Sequence, residues 1–148
     1  VEASAPSQAR ARENAAENGL SERVETLTGD VFALLKQLRA ERRRFDLVIA
    51  DPPAFIKRRK DQKAGLEAYQ RLNRMAMQVL DRDGLLVSAS CSYHLGREQL
   101  RELLLSGARH LDRSLQLIGE GHQGPDHPVH PAMNESAYLK AFLARVSS

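Results

Sequence analysis

Apolar positions along the chain fall into two alternating periods. Between Pro6 and Gly19, signals for helix start and stop, the alanine-rich stretch Ser7 to Asn18 predicts a helix. Arg23 to Thr28 sets Val24 and Thr26 against Glu25 and Leu27, the alternation of a short strand. Gly29-Asp30 then forms a turn, with Asp30 placed to cap a helix whose Val31, Leu34, Leu35 and Leu38 share one face. Phe45 to Ala50 is an almost continuous apolar run, as expected of a strand covered on both faces of a parallel sheet. It stops at Asp51-Pro52-Pro53, where two prolines forbid further pairing. After a polar, basic loop to about Ala64, helical spacing returns with Leu66, Tyr69, Leu72, Met75, Ala76, Val79 and Leu80, ending at Asp83-Gly84.

Leu85 to Ser90 predicts a second buried strand ending at Cys91, and Arg97 to Leu111 a helix with Leu100, Leu103, Leu104 and Ala108 inward. Leu115 to Ile118 and Tyr138 to Val146 read as two final strands, separated by the Gly-, His- and Pro-rich loop Glu120 to Ala137. With no helix between them, they are expected to pair as an antiparallel hairpin at the sheet edge. The whole pattern predicts an α/β fold with a mostly parallel sheet and that C-terminal hairpin. Ligands of such sheets lie beyond the carboxyl ends of the strands. Asp30, Asp51 and Cys91 stand at three such ends and are expected to converge.

Composition narrows the setting. The 148 residues suit one domain, taken as 1–148, and 42% hydrophobic with 28% charged residues is a globular balance. No apolar run is long enough to span a bilayer, so no membrane partner is expected. A single cysteine excludes an internal disulfide and a thiolate metal cluster, and fits a reducing, cytoplasmic setting. The chain opens on Val1 rather than methionine and reads as a piece of something longer. A net charge of +3 favours a polyanionic partner only modestly. Its placement says more: Arg42-Arg43-Arg44 and Lys57-Arg58-Arg59-Lys60 flank the same apolar run. The first is expected to be a solvated helix end complementing the dipole, and the second a phosphate contact beside the site.

Each candidate has a plainer reading. A lone cysteine at a strand end is most often a small buried hydrophobe. Asp-Pro-Pro makes a turn without any substrate. His122, His127 and His130 match no standard metal spacing, so loop packing is the expectation and no metal is assigned. Phe32 and Tyr69 are assigned to core or helix faces.

Taken in order, Val1-Glu2-Ala3-Ser4, Gly29-Asp30-Val31-Phe32, Asp51-Pro52-Pro53-Ala54-Phe55, Ser90-Cys91-Ser92, Asp126-His127-Pro128 and Tyr138-Leu139-Lys140 resemble the 5-methylcytosine methyltransferases of bacterial large-subunit ribosomal RNA. These enzymes carry a PUA domain ahead of a Rossmann-like catalytic domain, and the similarity runs along nearly the whole chain. It implies that the chain is the C-terminal portion of the S-adenosylmethionine-dependent domain, lacking the first strand and glycine-rich loop. On the resemblance, Glu2 binds the cofactor ribose hydroxyls, Asp30 and the Val31 backbone hold the adenine, Asp51 faces methyl donor and target base, and Cys91 is the nucleophile. Pro52, Phe55 and Lys57 to Lys60 would then meet RNA, Phe55 as a stacking face.

Two rivals stay open. One is methylation of an exocyclic amino group of adenine or guanine, where an aromatic residue usually follows the prolines; Ala54 stands there and counts against it. The other is a noncatalytic RNA-binding or scaffolding domain. Neither the modified nucleotide nor the oligomeric state, a dimer among the options, is legible.

Overall fold

A computed structural model describes the whole chain, Val1–Ser148, as two compact units, Val1–Arg43 and Arg44–Ser148. The first unit carries helices α1 (Ala5–Glu17) and α2 (Val31–Ala40). Ser4 caps α1 by accepting a hydrogen bond from the Ser7 N–H at 3.3 Å, with Pro6 in the first turn, where a missing N–H costs nothing. Asp30 caps α2 as expected, its Oδ1 accepting from the Ala33 N–H at 2.9 Å. Leu35 and Leu38 are the buried positions of α2.

The strand expected over Arg23 to Thr28 does not form. Ser21–Arg23 is a single 3-10 turn, and the remainder pairs only through one parallel bridge, Glu2 with Thr28. The backbone explains this. Glu2 donates to the Leu27 carbonyl and accepts from the Gly29 N–H, both at 3.1 Å, while Gln8 Nε2 also donates to the Leu27 carbonyl at 2.8 Å. A ladder with one partner residue cannot extend, whatever the side-chain alternation. Arg43, read as part of a solvated helix end, instead forms a two-pronged ion pair with Glu25, at 3.0 and 2.7 Å. That contact holds the Glu25 carboxyl below its ordinary range and raises the Arg43 guanidinium.

The second unit is a four-stranded sheet with helices on one face. Its strands are β1 (Phe45–Ala50), β2 (Leu80–Ser90), β3 (Ser114–Gly121) and β4 (Lys140–Ser147), in the order β1-β2-β4-β3. β1 and β2 run parallel, joined by helix α3 (Gln62–Val79); β4 pairs antiparallel with both β2 and β3. The C-terminal hairpin expected from the sequence is therefore present, with β4 inserted beside β2. Helix α4 (Arg97–His110) connects β2 to β3.

Side chains of Leu86, Phe142 and Val146 meet Tyr69, Ala76 and Met77 of α3 and Leu100, Leu104 and Ala108 of α4 in one core. Each large side chain so buried contributes roughly 1.5–3 kcal/mol. Arg113, just after α4, donates to the carbonyls of Met77, Asp81 and Val146 at 2.7–2.8 Å, tying α3 and both central strands together at one end.

β1 corrects an expectation. Its Val48 and Ala50 face the core, but Leu47 is 47% and Ile49 64% exposed. The apolar run predicted cover on both faces; β1 is an edge strand of this sheet, and the helices of this unit lie on one face only. The turn expected to end α3 at Asp83-Gly84 instead falls inside β2, as a bulge with Asp83 at φ 57° and a register shift against β1.

Candidate functional site

The register of β1 and β2 places their carboxyl ends side by side: Ala50 pairs with Ser88, so Asp51 and Cys91 leave neighbouring parallel strands at the same edge. Asp51 is exposed and accepts no hydrogen bond from the chain; Cys91 is half-buried. Between them runs a buried polar network. Ser90 Oγ donates to the Tyr69 hydroxyl at 2.9 Å. Tyr69 has one proton, so with Ser90 and the Phe55 N–H (3.4 Å) donating to it, its own goes to Ser92 Oγ at 2.8 Å. Ser92 Oγ also accepts from the Ile56 N–H at 3.3 Å, and Ser90 Oγ from the Ser92 N–H at 3.1 Å. Tyr69, Ser90 and Ser92 are all buried.

These bonds join the two motifs that stand 40 residues apart in sequence. The Asp51-to-Phe55 loop is held through the backbone of Phe55 and Ile56, and the Ser90-Cys91-Ser92 turn through its two flanking serines. α3 braces the loop as well. A Cβ on Gly65 would lie 2.2 Å from Ile56 Cγ1 and 3.0 Å from the Phe55 carbonyl oxygen, so only glycine lets the helix approach this closely.

Phe55, expected as a stacking face, turns its ring towards Tyr69, with centroids 4.8 Å apart and planes tilted by 59°. Lys57, Arg58, Arg59 and Lys60 are all exposed just beyond the loop. Tyr93, two residues after Cys91, is 45% exposed.

On the other side of the Cys91 turn lies Lys140, 6% exposed at the start of β4 and paired with Ser90. Its Nζ donates to the Ser92 and Leu95 carbonyls, each at 2.6 Å. Burial pushes this ammonium below its usual range; a thiolate at Cys91 opposes the shift, and Arg97 adds to it.

Tyr69, Gly65, Ser90, Ser92 and Lys140 were not assigned roles from sequence. A tyrosine within an apolar helical stripe offered a signal, because its buried hydroxyl must find partners. Two serines flanking a strand-end cysteine offered the complementary one.

The cofactor positions of the first unit can be judged on their donor sets. Glu2 is exposed, with Oε1 accepting from the Ser4 N–H at 2.9 Å and Oε2 unengaged by the chain. Asp30 likewise uses only Oδ1, and Val31 opens α2, where backbone N–H groups have no helical acceptor. A carboxylate with spare acceptor capacity, followed 28 residues later by an acid and a free-standing N–H, fits a ribose and an adenine edge. No group of three His, Cys, Asp or Glu residues is placed to hold a metal ion.

The fold is that of a Rossmann-like α/β methyltransferase domain. The solved structures agree on the fold. A SAM-dependent methyltransferase from Streptococcus mutans superposes with a TM-score of 0.80 at 21% identity, over 97% of this chain and 36% of that one. The methyltransferase SMU.776, crystallised with SAH, gives 0.77 at 20% identity, over 97% and 37%. Residues 7–103 match the UPF0020 family, RMKL-like methyltransferase domain, and the chain belongs to that family. Among curated relatives, Ribosomal RNA large subunit methyltransferase I of Shewanella denitrificans is 35% identical over 147 residues, 99% of this chain. The chain spans 37% of that relative's length.

Proposed function

We propose that the protein transfers a methyl group from S-adenosylmethionine to carbon 5 of a cytosine in large-subunit ribosomal RNA, through an adduct between Cys91 and carbon 6 of the base. The observation that carries this reading is the Tyr69–Ser90–Ser92 network, which fixes the Asp51 loop and the Cys91 turn to each other at adjacent strand ends. Similarity to Ribosomal RNA large subunit methyltransferase I of Shewanella denitrificans supports the substrate class. On this reading the chain is the C-terminal portion of the methyltransferase domain of a longer cytoplasmic enzyme. No helix is long and apolar enough to cross a membrane.

Carbon 5 of cytosine is a weak nucleophile and needs activation. S-adenosylmethionine, when bound, supplies an electrophilic methyl group. Cys91, as thiolate, adds to carbon 6 and pushes electron density onto carbon 5, which then takes the methyl. Loss of the carbon-5 proton to a base lets the carbon–sulfur bond break, returning Cys91 as thiolate. Asp51, with no partner in the chain, is available to hydrogen-bond the base edge and support charge at the ring nitrogen during addition. Glu2, Asp30 and the Val31 backbone would hold the ribose and adenine of the donor, and Asp51 would face its methyl group. The target base must leave any stack to enter, with Pro52 and Phe55 lining its path and Lys57, Arg58, Arg59 and Lys60 on phosphates.

The test is product identity. The full-length protein, given labelled cofactor and large-subunit rRNA, should yield 5-methylcytidine after digestion to nucleosides. N6-methyladenosine or N2-methylguanosine as the product would overturn the reading in favour of amino-group transfer.

A further inference from the structure

Phe55, the expected stacking face, packs its ring against Tyr69 and the core, which leaves little of it for a base. Of the chain's four phenylalanines and three tyrosines, only Tyr93 is exposed, and there is no tryptophan. An aromatic ring left in water forgoes the burial that favours the others. Tyr93 belongs to the turn that leaves β2. It stands two residues past Cys91, so its Cα lies within about 7 Å of that of Cys91.

The turn holds this side chain outward. The Leu95 N–H donates to the Ser92 carbonyl at 3.1 Å, closing a tight turn with Tyr93 and His94 at its two central positions. Its corner residues, Ser92 and Leu95, are both buried, and Lys140 Nζ donates to both of their carbonyls at 2.6 Å. With the corners held, Tyr93 and His94 form the tip. Their rings meet in an edge arrangement, centroids 5.4 Å apart and planes at 66°. The Tyr93 hydroxyl has no partner in the chain.

We infer that Tyr93 is a substrate-binding residue, its ring the platform on which an unpaired RNA base stacks at the mouth of the site. It rests on RNA being the substrate, and is independent of which atom of the target base takes the methyl. Proteins hold single strands with cations on the phosphates and aromatic rings under the bases. Both parts stand at one sheet edge here. Lys57, Arg58, Arg59 and Lys60 follow the end of β1, and Tyr93 follows the end of β2, its parallel neighbour. A base drawn out of its stack also leaves the next base with a bare face, which an aromatic ring on the adjoining turn would cover. Val129 and Met133, exposed in the loop before β4, are aliphatic and offer no flat π-face.

Methyl transfer by the full-length protein to large-subunit rRNA is followed for wild type and for Tyr93→Ala, Tyr93→Leu, Tyr93→Phe and Tyr93→Trp. Each variant should melt within about 2 °C of wild type, because an exposed side chain is being changed. Loss of the ring, in Tyr93→Ala and Tyr93→Leu, should raise the KM for RNA by about tenfold with kcat changed by less than about threefold. Tyr93→Phe and Tyr93→Trp keep a π-face and should stay within about twofold of wild type in KM. The dependence of log kcat/KM on log salt should keep its slope in Tyr93→Ala, since no phosphate contact is lost. A wild-type KM in Tyr93→Ala overturns the inference. So does a Tyr93→Phe defect equal to that of Tyr93→Ala, which would assign the hydroxyl rather than the ring. If Tyr93→Ala does not fold, Tyr93→Leu against Tyr93→Phe decides. The methylated nucleoside is identified in the same reactions. N6-methyladenosine or N2-methylguanosine with the Tyr93 dependence intact keeps the platform and removes the cytosine-5 reading; 5-methylcytidine without that dependence does the reverse.

Discussion

Replacing Tyr69 by phenylalanine removes one oxygen and leaves the ring, so any effect belongs to the hydroxyl. That hydroxyl is fully buried, takes hydrogen bonds from Ser90 Oγ and the Phe55 N–H, and gives one to Ser92 Oγ. Ser92 keeps the Ile56 N–H and Ser90 keeps the Ser92 N–H, so neither serine is orphaned entirely. The loss is then two good bonds and one long one, with the Ser90 proton left without its acceptor in a buried site. At roughly 1 kcal/mol per bond, the variant should be destabilised by about 2–3 kcal/mol. For a protein of this size that is on the order of 6–10 °C in melting temperature. Tyr138→Phe is the control, since this tyrosine is half-buried and its hydroxyl has no partner in the chain, and it should move the melting point by no more than about 1 °C. Thermal melts followed by circular dichroism give the first readout. Methyl transfer gives the second: the Asp51 loop is no longer tied to the Cys91 turn, and misplacement of about 1 Å costs up to roughly a hundredfold in rate. A Tyr69→Phe protein that melts with the control and transfers methyl at the wild-type rate would refute the argument that this network holds the site.

Gly65→Ala should be destabilising by about 1–3 kcal/mol in urea titration, because the new methyl would overlap Ile56 and crowd Phe55; the gain of up to about 1 kcal/mol usual for alanine in a helix would contradict the close approach. Ser88 Oγ is buried without a partner, so Ser88→Ala should leave stability unchanged or raise it by up to about 1 kcal/mol, and a clear loss in the same titration would show that the hydroxyl is used. The Glu25 carboxyl is held low by Arg43, so its contribution is present above the unfolded value of about 4.3 and fades as pH falls through the folded one. Glu25→Gln should therefore melt below wild type near neutral pH and converge with it in acid, and a constant difference across that range would sink the linkage.

Much of this was legible in the chain. Helical spacing located α2, α3 and α4, and the two apolar runs located β1 and β2, because those elements bury one continuous stripe or face. Asp51 and Cys91 were visible as polar residues at strand ends, where open sheets place ligands. What was not legible depends on partners distant in sequence. Alternation from Arg23 to Thr28 could not reveal that only Glu2 would pair with it. Leu47 and Ile49 carry no mark of an edge strand. Tyr69 looked like core because a helical stripe records the ring and is silent on the hydroxyl, and Lys140 stood in a motif without a stated role until β4 brought it under the Cys91 turn.

The central claim is that Cys91 attacks the base. Full-length protein is incubated with S-adenosylmethionine and rRNA carrying 5-fluorocytosine; the methylated base adduct holds fluorine at carbon 5 where a proton would be removed, so the covalent species should accumulate. The account predicts a denaturation-resistant protein–RNA adduct that disappears in Cys91→Ala, together with loss of methyl transfer. No adduct with the wild-type protein, and methyl transfer undiminished in Cys91→Ala, would contradict it.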